Sequence, residues 1–495
     1  MIMTNDVPAL GLRPVHALLK DLDSRGMRLH SLLVHRHGRT VLDLWRWPHE
    51  PGLKHKMHSV TKSFTGTAVG FAEAEGLLRL DDPVLSFFPG RPAEPGSDLL
   101  SFMRIRDLLT MQTGHPRGLS GATTRLRTTG WADEFFEEPV VGLPGRHYQY
   151  NSTTSHVLSA VVQQATGEPV DAYLRPRLFE PLGITDFTWE HDPEGVASGG
   201  NGLSMLPRDL LAFGVLHLED GVRAGRRVLP VGWVQKASAL HVRKAVSGTY
   251  NGTEIVPPPP AGPEDEGYGF QFWTTPDGVY NASGIFGQEC MVFPRHDAVV
   301  VTTGAMGDGT YHDLPGMLRK TFAEAFGDPA PDPGSAEAVR EWQARAQEPE
   351  GWTDTTVCHA GLRRTYDFPE NGQGLRSLSL DVRDDSVLVV IEDEQGRHGI
   401  EHGSGRWVRQ RTGVSTWRLH HSYQEESALL LASAEWLDRR GNEAETLGLT
   451  WYFAESPFVD HLTVRIGEYD VSVERSVNIN SGPTRLPSLR GTRRA

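Results

Sequence analysis

Three prolines within seven residues, DPAPDPG at 328–334, interrupt the chain between two different hydrophobic patterns. Proline fixes its own φ and pushes the preceding residue out of helical conformation, so a stiff, turn-prone linker is expected there. A short helix over about 335–346 follows it. Before the linker the pattern mixes periods. Residues 12–25 read as a helix, and 30–35 with 40–45 read as a strand pair hinged at His37-Gly38. The segment 59–75 has Val60, Phe64, Ala68, Phe71 and Ala72 at helical spacing, which predicts an amphipathic helix stopped by Gly76. From about 80 to 190 strand signals are scarce, and 106–111 and 155–166 read as helices, so a helical insertion is expected. Past Gly199-Gly200, Pro207 and Asp209 signal another helix, and strands return at 268–273 and 291–303. After the linker only strand signals remain, at 377–381, 386–392, 406–409, 428–433 and 447–453, which predicts an all-β barrel or sandwich. At 495 residues the chain has room for about three such units.

Composition narrows the function classes. A net charge of −14 without long acidic runs disfavours a nucleic-acid or anionic-membrane partner. The two cysteines, Cys290 and Cys358, flank the linker and read as buried thiols, and the first residues lack a secretory pattern. The longest apolar run, 387–391, suits a buried strand. A cytoplasmic protein is expected. Histidines 35, 37, 55, 58, 420 and 421 form no ligand spacing such as H-E-x-x-H, so no metal and no cofactor is expected. There is no G-x-S-x-G elbow and no phosphate loop.

What carries chemistry is Ser59-Val60-Thr61-Lys62. A serine hydroxyl needs a proton acceptor to attack carbon, and a lysine three residues on along a helix lies on the same face, one turn away. Burial disfavours ammonium, so such a lysine can serve as base.

HSVTKSFTG at 58–66 resembles the nucleophile motif of the serine β-lactamase-related hydrolases, the class C β-lactamase and penicillin-binding-protein-like family. The likeness continues in order through IRDLLTMQTG at 105–114, PGRHYQYNSTTSHVLSAVVQQATG at 144–167, GGNGLSMLPRDLLAFG at 199–214, YGFQFW at 268–273 and ASGIFGQECMVFP at 282–294. It covers roughly residues 28–305.

The resemblance implies an α/β fold with an all-α insertion, of β-lactamase/transpeptidase type, over 1–330. A linker and helix at 331–350 and a C-terminal all-β, barrel-like domain at 351–495 follow. It makes Ser59 the nucleophile, Lys62 the base, and Tyr150 a phenol that shares the proton, biased toward its anion by the nearby ammonium. Ser152 stands where the family's Tyr-x-Asn motif has asparagine. Ala282-Ser283-Gly284 replaces the family's Lys-Thr-Gly or His-x-Gly, so the cation that recognises a substrate carboxylate is missing. Gly284 is expected to keep the strand open to substrate, Ser283 and Gln288 to border the pocket, and the Ile285 N–H to join that of Ser59 as an oxyanion hole. The implied activity is cleavage of an ester or amide of a small acyl substrate. A β-lactamase or D-amino-acid peptidase, and a silent binding scaffold, are the alternatives. The expected partner is a small ester, amide or lactam, with no nucleic acid or membrane; self-association into a homo-oligomer stays open. The polar stretch 474–484 reads as an ordinary strand and turn, with a loop that reaches the catalytic cleft as the alternative.

Overall fold

The computed structural model describes residues 10–90, 98–256, 266–307, 309–327, 332–349, 359–437 and 446–495. Cys358, most of the proline linker and the first nine residues lie outside them.

Helix α1 (Leu12–Ser24) forms because Val15, Leu18, Leu19 and Leu22 share one face, and that face is buried. It leads into β1 (Arg28–Arg36), hairpinned to β2 (Arg39–Trp45). β1 is the second strand from one edge of a seven-stranded antiparallel sheet. Beside it run β3 (Tyr280–Gly284), β4 (Gln288–Phe293) and β5 (Ala298–Ala305), with β5 paired to β1 in the register Leu32↔Thr302. β1 and β5 are buried on both faces because helices cover both sides of the sheet. One side is closed by α1, a helix at Leu314–Gly327 and the helix Pro333–Gln347, which begins two residues earlier than its apolar spacing predicts because Asp332 caps it.

The other side is closed by α2 (Thr61–Ala74), α3 (Ser152–Thr166) and α4 (Pro207–Leu218). Here two expectations fail. α2 is not amphipathic: residues Thr61 through Ala72 are all buried, because the helix runs between the sheet and the helical insertion. Its glycines admit neighbours, and a Cβ on Gly70 would stand 2.3 Å from the Trp233 ring. Nor is 268–273 one strand. Gly267–Tyr268 and Trp273–Thr274 pair with each other across a turn in which Gln271, at φ 63°, folds inward to Ser155 and the carbonyls of Leu108 and Leu109. The stretch 291–303 is likewise broken by a turn at Pro294–His296.

The C-terminal strands make a barrel. β6 (Arg363–Asp367), β7 (Ser377–Val382), β8 (Ser386–Asp393), β9 (Gly396–Ser404), β10 (Ala428–Trp436), β11 (Thr446–Phe453), β12 (Val459–Ile466), β13 (Asp470–Val477) and β14 (Leu489–Arg493) form a ring. β9 meets β10 in parallel at Gly403↔Ser433 and closes it. A further strand, Val408–Thr412, lies along β10. Alternating burial along β8 and β12 sends one set of side chains into the barrel core. That core reaches across to Phe286 and Ala305 of the first unit. Among the described residues no helix is long and apolar enough to cross a membrane.

Candidate active site

The chain turns sharply into α2. His58 takes a left-handed φ of 48°, and His58–Val60 form a 3₁₀ turn that runs directly into the helix. Ser59 thus precedes Lys62 by about one helical turn. Lys62 is 2% exposed, and its Nζ lies 2.9 Å from Ser59 Oγ, 2.7 Å from the Gly200 carbonyl and 3.3 Å from Ser152 Oγ. Burial, reinforced by the Arg125 guanidinium, lowers the amine to about 7. The amine therefore stands near half-neutral at physiological pH.

The neighbours are set by local rules. Asn151 caps α3 by accepting from the Thr153 N–H at 2.9 Å, which fixes Tyr150 just outside the helix and Ser152 just inside. Gly199 and Gly200 let their loop touch α3, since a Cβ on Gly200 would stand 2.4 Å from the Ser152 carbonyl. That approach delivers the Gly200 oxygen to Lys62. Tyr150 stacks on Trp273, holds its ring 4.9 Å from Lys62 Nζ and borders the same cleft as the Ser59 side chain. Its phenol is pushed up by burial, against the expectation of a phenolate, because the desolvation of an anion outweighs the lowering influence of the Ser59 hydroxyl and Glu289 adds to the rise. Tyr150 is a neutral phenol here.

Strand β3 ends against the Ser59 turn. A Cβ on Gly284 would stand 2.5 Å from the Met57 carbonyl and 3.2 Å from the Ser59 nitrogen, so the glycine is needed for backbone contact with the Ser59 turn. Ile285 follows and lines the same cleft as Ser59. Ser283 instead donates to Glu289 Oε1 at 2.6 Å, and Asn281 Nδ2 donates to the other oxygen at 2.8 Å. Burial raises Glu289 to about 8. Gln288 does not border the cleft. It is fully buried and clamps the turn, donating to the carbonyls of Ile285 and Gly304 and accepting from the Gly304 N–H.

The cleft holds about 720 Å³, its open mouth included, and is bordered by Ser59, Tyr150, Ser152, Ile285 and, from the barrel, His421 and Ser481. The stretch 474–484 is thus more than a strand and turn. Its loop reaches the cleft because Asn480 accepts from the His421 backbone and Ser481 pairs with the His421 ring. Arg125, also unforeseen, lies beneath, bound to Glu190 at 2.7 Å and Asn201 at 2.6 Å, with its guanidinium 3.9 Å from the Tyr423 ring centre.

Among the histidines, His55 meets His30 and His49, their ring nitrogens within 4.8 Å of one another. His30 and His49 stack at 3.7 Å with planes 18° apart, so their in-plane lone pairs run side by side and do not converge. The His49 ring is hydrogen-bonded to the Ala454 carbonyl of the barrel, as packing at the seam.

A family model described as Beta-lactamase matches residues 15–308, more than half of the chain, and the chain belongs to that family. A 6-aminohexanoate-dimer hydrolase from Paenarthrobacter ureafaciens is 28% identical over 61% of this chain and 79% of its own length. Esterase EstB from Burkholderia gladioli is 32% identical over 26% of this chain and 37% of its own. The octameric penicillin-binding protein homologue from Pyrococcus abyssi has a similar fold over 93% of this chain and 99% of its own, with a TM-score of 0.50 at 16% identity. Family and relatives together support a serine hydrolase.

Proposed function

We propose that the protein cleaves an ester or amide bond of a small acyl substrate through an acyl-enzyme on Ser59. The observation that carries this is the buried Lys62 amine, lowered to about 7 and 2.9 Å from the Ser59 hydroxyl. Neutral Lys62 takes the hydroxyl proton as Oγ bonds to the substrate carbonyl carbon, and the π pair moves to oxygen. The N–H groups of Ser59 and Ile285 hold that oxyanion, a reading supported by the contact of Gly284 with the Ser59 turn. Collapse expels the alcohol or amine, which receives the proton from Lys62 by way of Tyr150, and water repeats the sequence to release the acid. No metal or cofactor enters these steps. The residues of the first and second motifs hold the nucleophile and base, and the barrel closes the cleft from the far side. A cytoplasmic location belongs to this reading, and Cys290 is a buried thiol.

The missing third-motif cation favours esters and simple amides over substrates anchored by a carboxylate. Turnover of a p-nitrophenyl ester, a linear anilide and nitrocefin by wild type and Ser59→Ala tests this. Ester or anilide turnover that disappears in Ser59→Ala is expected. Fast nitrocefin hydrolysis without ester turnover would make the protein a β-lactamase instead, and turnover that survives in Ser59→Ala would remove the mechanism.

A further inference from the structure

Two barrel residues in the wall of the cleft have no part in the chemistry of Ser59, Lys62 and Tyr150. His421 and Ser422 lie in consecutive left-handed conformations, φ 53° and 60°. Side chains other than glycine rarely adopt this backbone, and such strain persists only where the surroundings over-determine it. The surroundings do so on both flanks. His420 Nε2 is 2.7 Å from Asp460 Oδ1, and Arg475 Nε donates to the other Asp460 oxygen at 2.7 Å. On the far flank the Tyr423 hydroxyl is 3.1 Å from His58 Nδ1, in the turn that carries the nucleophile. The strained turn is therefore fixed to the barrel wall at one end and to the Ser59 turn at the other. Between these anchors His421 Nδ1 pairs with Ser481, while Nε2 makes no hydrogen bond among the described residues. The ring is 8% exposed, and burial holds it neutral.

The rest of the lining is also uncharged among the described residues: hydroxyls, Tyr150, Asn201, Leu119 and Ile285. Where relatives of this type would set a cation this chain has Ala282, and the next residue, Ser283, is turned toward Glu289. The two cations nearest this wall are already engaged, Arg125 with Glu190 and Asn201 and Lys62 with Ser59 and the Gly200 carbonyl. Among the described residues a substrate carboxylate therefore meets no lining cation, whereas an uncharged carbonyl, hydroxyl or amide finds an imidazole nitrogen and a hydroxyl.

The geometry points to His421, with Ser481, as the specificity-determining wall of the Ser59 cleft, hydrogen-bonding an uncharged polar group of the substrate and selecting substrates with a neutral leaving group over those whose leaving group bears a carboxylate. This rests on Ser59 being the nucleophile. The barrel is thereby part of the substrate site.

The test compares 4-nitrophenyl butyrate with 3-carboxy-4-nitrophenyl butyrate, which share the acyl group and differ by one carboxylate, using the full chain. Wild type is expected to prefer the neutral ester at least tenfold in kcat/KM. His421→Arg should reduce that preference at least tenfold. Ser481→Ala, at the exposed rim, should raise KM for the neutral ester at least threefold while kcat changes by less than twofold, and it carries the test should His421→Arg fail to fold. A folded His421→Arg whose preference stays within twofold of wild type, or a Ser481→Ala whose KM does not move, overturns the proposal. Fluorophosphonate labelling separates the two levels. Labelled wild-type Ser59 with unchanged selectivity in the variants sinks only the role of the wall. Wild type that is neither labelled nor active removes the nucleophile and the wall together.

Discussion

Lys62 is the residue on which the proposed chemistry turns. An amine in that role acts as a base only when neutral, and burial beside Arg125 lowers this one to about 7. Values of kcat/KM for an uncharged ester are therefore expected to rise tenfold per pH unit on the acid side and to level off above about pH 7. A flat profile between pH 5 and 8 would contradict this. The same shift affects stability. The unfolded lysine keeps its proton up to its ordinary range, so between about pH 7 and that range the unfolded chain binds more protons, and this residue makes the fold more stable as pH rises. Lys62→Met should lose about 10²- to 10⁴-fold in kcat/KM. Its melting temperature relative to wild type should fall from pH 7 to pH 9, as the penalty that it removes fades from the wild-type protein.

At the scale of elements, two glycines make opposite predictions. Gly70 faces the Trp233 ring inside a helix buried on all sides, so Gly70→Ala overpacks the core and should destabilise by about 1–3 kcal/mol, read by urea denaturation. Gly284 faces the Met57 carbonyl and the Ser59 nitrogen, so Gly284→Ala should displace the nucleophile turn and lower kcat by at least tenfold, read in ester turnover. The elements that local pattern dictates were legible. α1 followed from its apolar face, the β1–β2 hairpin from its two apolar runs, and the pairing of Ser59 with Lys62 from helical spacing. What the chain hides is whatever depends on distant partners. The burial of α2 on every side reflects the insertion and sheet around it, and the turn at Gly269–Phe272 exists because Gln271 reaches α3. Arg125 and His421 belong to no quoted motif, and although Glu289 lies within 282–294 and Ser481 within 474–484, only the fold shows what each of them meets. The barrel showed four of its nine ring strands and the further strand Val408–Thr412 as local runs, while β6, β9, β12, β13 and β14 carry charged and polar residues that dilute the apolar signal.

At the scale of the molecule, catalytic unit and barrel are joined by buried polar contacts as well as by a shared core. The Tyr423 hydroxyl meets His58, and Lys56 pairs with Glu425 while Nζ sits 4.0 Å from the Tyr423 ring centre. Lys56 is buried but the Glu425 side chain is 32% exposed, so removing Glu425 strands an ammonium that water partly reaches, at about 1–3 kcal/mol. Glu425→Gln should therefore lower stability by an amount of that order in chemical denaturation, and because the pair lies at the seam, ester turnover and the folding signal should be lost together. Loss below about 1 kcal/mol would mean that the pair is solvated in solution. The central claim, however, is covalent. Rapid acid quench of the protein turning over 4-nitrophenyl butyrate, followed by peptide mass mapping, tests it most directly. A butyryl mass on the peptide carrying Ser59, absent from Ser59→Ala, is the predicted result; steady turnover with that peptide unmodified and the acyl group on another side chain would contradict it.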